Sequence, residues 1–200
     1  MPFEPVEPFA QAIGNAIIAY AEAEQSQAML FSGMLTLKHD RANAVFYTIQ
    51  NVRARNEMIQ TLLRQEFKED YAVYWESCSE FLLKLAKFRN AVAHWHPAMR
   101  VYMSKGAAST KPGENVLSNP SPGWGIKSLT LEDIGPFMKD CRAIQQEMYE
   151  FTRHIDDRRK APRAPLPDRF QKRVTYRNQA VLQRHPKPKA QKSPPRSSHP

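Results

Sequence analysis

Apolar residues recur at spacings of three, four and seven through most of the first 157 positions. That is the pattern of helices that each bury one stripe. Pro5 and Pro8 precede a first stripe over 9–35, carried by Phe9, Ile13, Ile17, Tyr20, Phe31 and Leu35. Asp40 is placed to cap a second helix, its carboxylate accepting from the free N–H groups of the first turn. Val45, Ile49, Val52, Ile59 and Leu63 form the stripe of that helix. A break is predicted within 65–70, around Lys68-Glu69-Asp70. The third helix has the clearest stripe: Tyr71, Tyr74, Cys78, Phe81, Leu85, Phe88 and Val92. His96-Pro97 ends it, because the residue before a proline is pushed out of the α region. Thr130-Leu131-Glu132-Asp133 reads as a capping box. It opens a last helix with Ile134, Met138, Cys141, Ile144, Met148, Phe151 and Ile155 inward and a kink at Pro136. Four such helices predict an all-α fold, an antiparallel four-helix bundle.

Residues 97–129 break this pattern, with Gly106, Gly113, Gly123 and Gly125 among Pro112, Pro120 and Pro122. Two short alternating pieces, 100–104 and 124–128, are candidates for a small hairpin closing a long loop. A stretch this long without strong periodicity is usually functional or mobile.

Composition sharpens the domain picture. Of the 200 residues 42% are hydrophobic and 24% charged, which excludes collagen-like and wholly disordered chains. The net charge of +9 is unevenly placed. Positions 158–200 hold 13 Lys and Arg against one acid, Asp168, a net of +12, and 8 of the 16 prolines; positions 1–157 carry a net of −3. A segment so charged and so poor in apolar residues is expected to remain a disordered basic Pro-rich tail, leaving 1–157 as the helical domain with a 97–129 loop insertion. An amphipathic piece over 168–183 could order on a partner. No apolar run approaches the roughly 18 residues of a membrane span, and the first residues lack the pattern of a secretory signal. Cys78 and Cys141 form neither a disulfide framework nor a zinc spacing, and each sits on an apolar stripe. These features predict a cytoplasmic protein with no membrane association.

The candidate chemistry lies at the end of the third helix, in Lys87-Phe88-Arg89-Asn90-Ala91-Val92-Ala93-His94. At 100° per residue, with Val92 centred on the buried stripe, Asn90 and His94 point away from the core, one above the other, and Arg89 lies on the flank. A guanidinium offers a planar fork for a phosphate. An imidazole gives or takes a proton near neutrality. Together they suit phosphodiester chemistry on RNA, with the ribose 2′-OH as nucleophile, His94 moving protons, Arg89 stabilising charge and Asn90 orienting either. One helix end cannot surround a phosphate by itself; helical geometry permits, without demanding, a two-fold dimer that brings a second copy of the three residues across one cleft. The same residues also have a plain structural reading. His94 suits a helix C-terminus through the dipole, Arg89 could pair with a nearby acid, and Asn90 could sit on a wet face. His94-x-His96 is a poor metal pair, since residues two apart on a helix face away from each other.

Arg89-Asn90-x-x-x-His94 at the end of a helix in a bundle resembles the HEPN superfamily, over roughly residues 9–157. The resemblance implies an all-α domain that dimerises through the motif helices. Many members are metal-independent endoribonucleases, found as toxins of toxin–antitoxin pairs and in phage defence. It implies Arg89 and His94 as the catalytic pair, Asn90 as their polar support, and cleavage leaving a cyclic phosphate and a free 5′-hydroxyl. It implies no cofactor and no metal. Expected partners are RNA, a second copy of the chain as a homodimer, and a protein antitoxin or regulator. In the tail, Arg158, Arg159, Lys160, Lys172, Arg173, Arg177 and Arg184 are candidate RNA-binding residues, because spaced cations release counterions from a polyanion. The rivals are a non-catalytic helical module that binds protein or nucleic acid, and a transcription regulator with its tail on DNA.

Overall fold

The computed structural model describes residues 6–35, 37–100, 103–104, 107–108, 114–120 and 128–175. Among them the chain is mostly helical. Five helices, α1 (Val6–Leu35), α2 (His39–Thr48), α3 (Val52–Phe67), α4 (Ala72–His94) and α5 (Leu131–Lys160), enclose one apolar core. No helix among the described residues is long and apolar enough to cross a membrane.

α1 and α5 pack most extensively on each other. α1 buries Ala16, Ala19, Ala23 and Ala28, small side chains that let a neighbouring helix approach closely, with Phe9, Tyr20 and Phe31 between them. α4 buries its expected stripe from Tyr74 to Val92 and also Trp75, Leu82 and Ala91, while Tyr71, the first expected member, is buried at the N-cap just outside the helix. α5 starts at the expected capping box, with Asp133 accepting from the Thr130 backbone N–H at 2.9 Å. It runs through Pro136 and buries Ile134, Cys141, Ile144, Met148, Phe151 and Ile155, while Met138 is half-buried. Phe88 stacks on Phe137 at 4.5 Å and joins the end of α4 to the start of α5.

The single second helix expected from its stripe is instead two. α2 ends at Thr48, and Asn51 caps α3 by accepting from the N–H groups of Arg53 and Ala54. Asp40 lies inside the first turn of α2 rather than capping it, and Val45 is exposed. Arg55 ties this turn together. Its side chain is almost wholly buried, donates to the Ile49 carbonyl and to Glu24 at 2.5 Å each, and lies over the Phe46 ring at 4.7 Å. The guanidinium thus satisfies a carbonyl that the chain turn leaves free. Next to it, Gln27, Asn56, Ser79 and Trp75 form a buried hydrogen-bonded chain across α1, α3 and α4.

Between α4 and α5 lies a three-stranded antiparallel sheet. β1 (His96–Arg100) and β5 (Ser128–Leu129) both pair with β4 (Glu114–Ser118). A second pair joins β2 (Met103–Ser104) and β3 (Ala107–Ala108). The hairpin expected between 100–104 and 124–128 is therefore replaced. Val116 and Leu117 of β4 are buried, so this central strand takes both neighbours, and positions 124–127 lie outside the described residues.

The expected boundary at 157/158 does not hold, nor does disorder over 158–175. α5 continues to Lys160, and the chain then folds back along the helices through a short 3-10 helix, Asp168–Gln171. Phe170 is only 4% exposed and packs against Tyr74, Phe151 and His154. One aromatic anchor is enough to order a segment whose charges are met by acids on α4 and α5; averaged composition hides that anchor. Residues 176–200 of the expected tail lie outside the described residues.

Lys68 ends α3 with φ 56° and ψ −125°, a conformation that favours glycine. Lys68→Gly should raise stability by about 1 kcal/mol, read as a rise in thermal midpoint. Arg55→Ala should lower stability by about 3 kcal/mol, because it leaves the Glu24 carboxylate without its partner in a largely buried place. Arg64→Ala, which removes an exposed pair with Glu69, should change stability by less than about 1 kcal/mol. Urea unfolding of the three variants checks this order.

Candidate functional site

The last two turns of α4 carry the motif. Phe88, Ala91 and Val92 are buried, and this sets the rotation of the helix. Asn90 and His94 are consequently exposed, one turn apart, and Arg89 is half-buried between the two faces. Among the described residues, Asn90 and His94 have no hydrogen-bond partner, so both amide and imidazole are open to an incoming group. Five positions separate Arg89 from His94, which is about 140° around the helix axis. The guanidinium and imidazole of one chain therefore flank the Asn90 face from either side rather than converge.

Arg89 is held by a residue the sequence did not point to. Its guanidinium lies over the ring of Tyr20 on α1, 5.1 Å from the centroid, a cation–π contact. Burial, reinforced by nearby Glu24, pushes the Tyr20 phenol well above its ordinary range, so it stays protonated and serves as a neutral platform. Among the described residues Arg89 makes no ion pair, and its donors are not spent on a carboxylate. Tyr20 was legible only as a core aromatic, because its pairing with Arg89 joins positions 69 apart in sequence.

Behind the motif, α5 buries two further titratable groups. Burial pushes the Cys141 thiol up to about 12, with Asp140 adding to the effect. Cys78 and Cys141 are both free and buried, as expected of small apolar residues. Asp140 is 8% exposed, and burial raises its carboxyl to about 6. Among the described residues no group of three or more His, Cys, Asp or Glu gathers as a metal site.

The expected RNA-binding cations sit elsewhere, and several are engaged. Arg159 donates to both Glu66 oxygens at 2.6 Å and to the Gly33 and Met34 carbonyls at the end of α1. Its role is to close α1 onto α3 and α5. Arg158 pairs with Asp70 at 3.6 Å. Arg173 reaches Glu76 and Glu80. Lys160 and Lys172 pair with Asp157 and Asp168 on exposed surface, contacts of little energetic weight. Arg177 and Arg184 lie outside the described residues.

Two cavities, of about 520 and 330 Å³, flank the segment after α5. The first is bounded by Glu66, Asp70, Arg158 and Arg159, the second by Glu150, Arg153, His154 and Phe170. Neither is lined by Arg89, Asn90 or His94. No family model, curated protein or solved structure matches this chain.

Asp140 provides a pH test of the packing of α5. Its folded value of about 6 lies above the ordinary 3.8, so the folded state holds the proton more tightly than the unfolded chain. Its stabilising effect is complete below about pH 3.8 and is lost as pH rises through 6. Asp140→Asn should therefore raise the thermal midpoint at pH 8 relative to wild type and leave it nearly unchanged at pH 4.

Proposed function

We propose that this chain is a metal-independent endoribonuclease of HEPN type. It acts as a homodimer whose protomers meet through the exposed face of α4. In this reading α1, the α2–α3 pair, α4 and α5 form an antiparallel four-helix bundle, and two copies of Arg89, Asn90 and His94 line one cleft. The observation that carries it is the pairing of exposed Asn90 and His94 at the end of α4 with an Arg89 that rests on a neutral tyrosine. The ribose 2′-OH attacks the adjacent phosphorus, and His94 manages the proton transfers. Arg89 stabilises charge on the phosphoryl oxygens. Asn90 orients the phosphate or the imidazole. The bond from phosphorus to the 5′ oxygen breaks, leaving a cyclic phosphate and a 5′-hydroxyl. The basic C-terminal region recruits RNA, and a toxin or phage-defence effector of this kind would be restrained by a protein antitoxin or regulator.

The non-catalytic alternative, a helical module that binds protein or nucleic acid, draws support from the openness of the motif within one protomer. The two cavities beside the segment after α5 are not lined by the motif. Enzyme and module differ in one assay. Wild-type protein with excess EDTA should cleave a mixed RNA substrate, and His94→Ala should slow cleavage by about 10²–10⁴-fold with unchanged circular dichroism and dimer mass. Intact RNA with wild type, or equal rates with His94→Ala, would identify the module instead.

A further inference from the structure

The segment that follows α5 is a strap over an acidic cleft. Glu76 and Glu80 on α4 and Glu147 and Glu150 on α5 supply four carboxylates. Against them lie two arginines: Arg169, which pairs with Glu147 at 3.0 Å and with Glu150, and Arg173, which pairs with Glu80 at 2.7 Å and Glu76 at 3.2 Å. Phe170 enters between the two helices and stacks on His154 with ring centroids 4.3 Å apart. The Val174 N–H donates to Ser77 Oγ at 2.9 Å and holds the far end.

We propose that 161–175 is a releasable strap, whose arginines grip either this acidic cleft or a polyanion, so that docking withholds Arg169 and Arg173 from RNA. Three features make the docked state reversible. Its apolar anchorage is a single buried residue, Phe170, with Leu166 and Val174 only half-buried. Its arginine side chains remain about half exposed in their ion pairs, at 47% and 50%, and such pairs are weak and screened by salt. Open grooves border it at Pro162 and at Arg169 and Phe170, so solvent reaches its flanks. The strap also runs directly into positions 176–200, where Arg177, Arg184, Lys187, Lys189, Lys192 and Arg196 follow in sequence. A polyanion drawn to those cations meets four carboxylates if it approaches the docked strap. It gains Arg169 and Arg173 only by lifting the strap away. The exclusion is electrostatic: one guanidinium cannot satisfy a carboxylate pair and a phosphate at full strength together. The inference rests on the reading of the C-terminal region as RNA-binding, and not on cleavage by His94.

The test uses full-length wild type, Phe170→Ala and the double variant Glu76→Gln/Glu80→Gln, with fluorescein-labelled 20-mer oligo(U) as the probe. The double variant changes only exposed side chains and covers the case in which Phe170→Ala disturbs the core. Binding is read by anisotropy over a series of KCl concentrations, and strap release by hydrogen exchange over 165–174. Each variant should bind oligo(U) about tenfold more tightly than wild type, because the competent state no longer has to be freed. The slope of log affinity against log salt should steepen by about 1.4 as two cations join the phosphates. Saturating oligo(U) should speed exchange of 165–174 in wild type. Equal affinities and slopes in all three proteins, or an unchanged exchange pattern at saturation, would overturn the strap alone. Failure of every protein to bind oligo(U) would overturn both the strap and the RNA-binding reading.

Discussion

Burial of one face of α4 is the constraint from which the rest of the arrangement follows. Tyr74, Cys78, Phe81, Leu85, Phe88 and Val92 lie on that face and are closed by the core. Once they are inside, the helix has no remaining rotational freedom. Asn90 and His94 must then face outward, and Arg89 must emerge at the seam with α1, where Tyr20 receives it. The Phe88–Phe137 stack transmits the same constraint to the start of α5. The motif is thus displayed by packing and by the Tyr20 contact, and among the described residues none of its polar side-chain atoms is buried without a partner.

Charge is arranged with the same economy. The chain has a strongly basic C-terminal part and a slightly acidic body, and the fold brings the two into register. Arg159 binds Glu66 and two α1 carbonyls, Arg158 faces Asp70, and Arg169 and Arg173 meet carboxylates of α5 and α4. These arginines do different work. Arg159 and the buried Arg55 close gaps at helix ends, where carbonyls lack intrahelical partners. Arg169 and Arg173 lie half exposed along a segment with one apolar anchor. The first pair belongs to the architecture; the second is positioned to exchange partners.

His154 sits where these roles meet. Its ring stacks on Phe170, its Nε2 lies 2.8 Å from the Tyr71 hydroxyl, and burial together with Arg158 disfavours its charged form. A neutral imidazole there extends the aromatic cluster of Tyr71, Tyr74 and Phe151 up to the strap. The strap is consequently fully buried only at Phe170, with Leu166 and Val174 packed half-buried against the core on either side.

The sequence by itself determined the helical class, the α4 and α5 stripes, the Thr130–Asp133 capping box and the outward aspect of Asn90 and His94. Each follows from local periodicity or from hydrogen bonds between residues three or four apart, which need no tertiary partner. The tertiary structure alone decided the Arg55–Glu24 closure of the α2–α3 turn, the strand order β1-β4-β5, the Tyr20 platform and the docking of 158–175. Those depend on contacts between distant positions: Arg55 with Glu24, Leu117 with Leu129, Arg89 with Tyr20, and Phe170 with Tyr74. A periodic pattern records which side of an element is apolar. It does not record which distant residue will fill the space opposite, and that choice is made by packing and charge pairing once the elements meet.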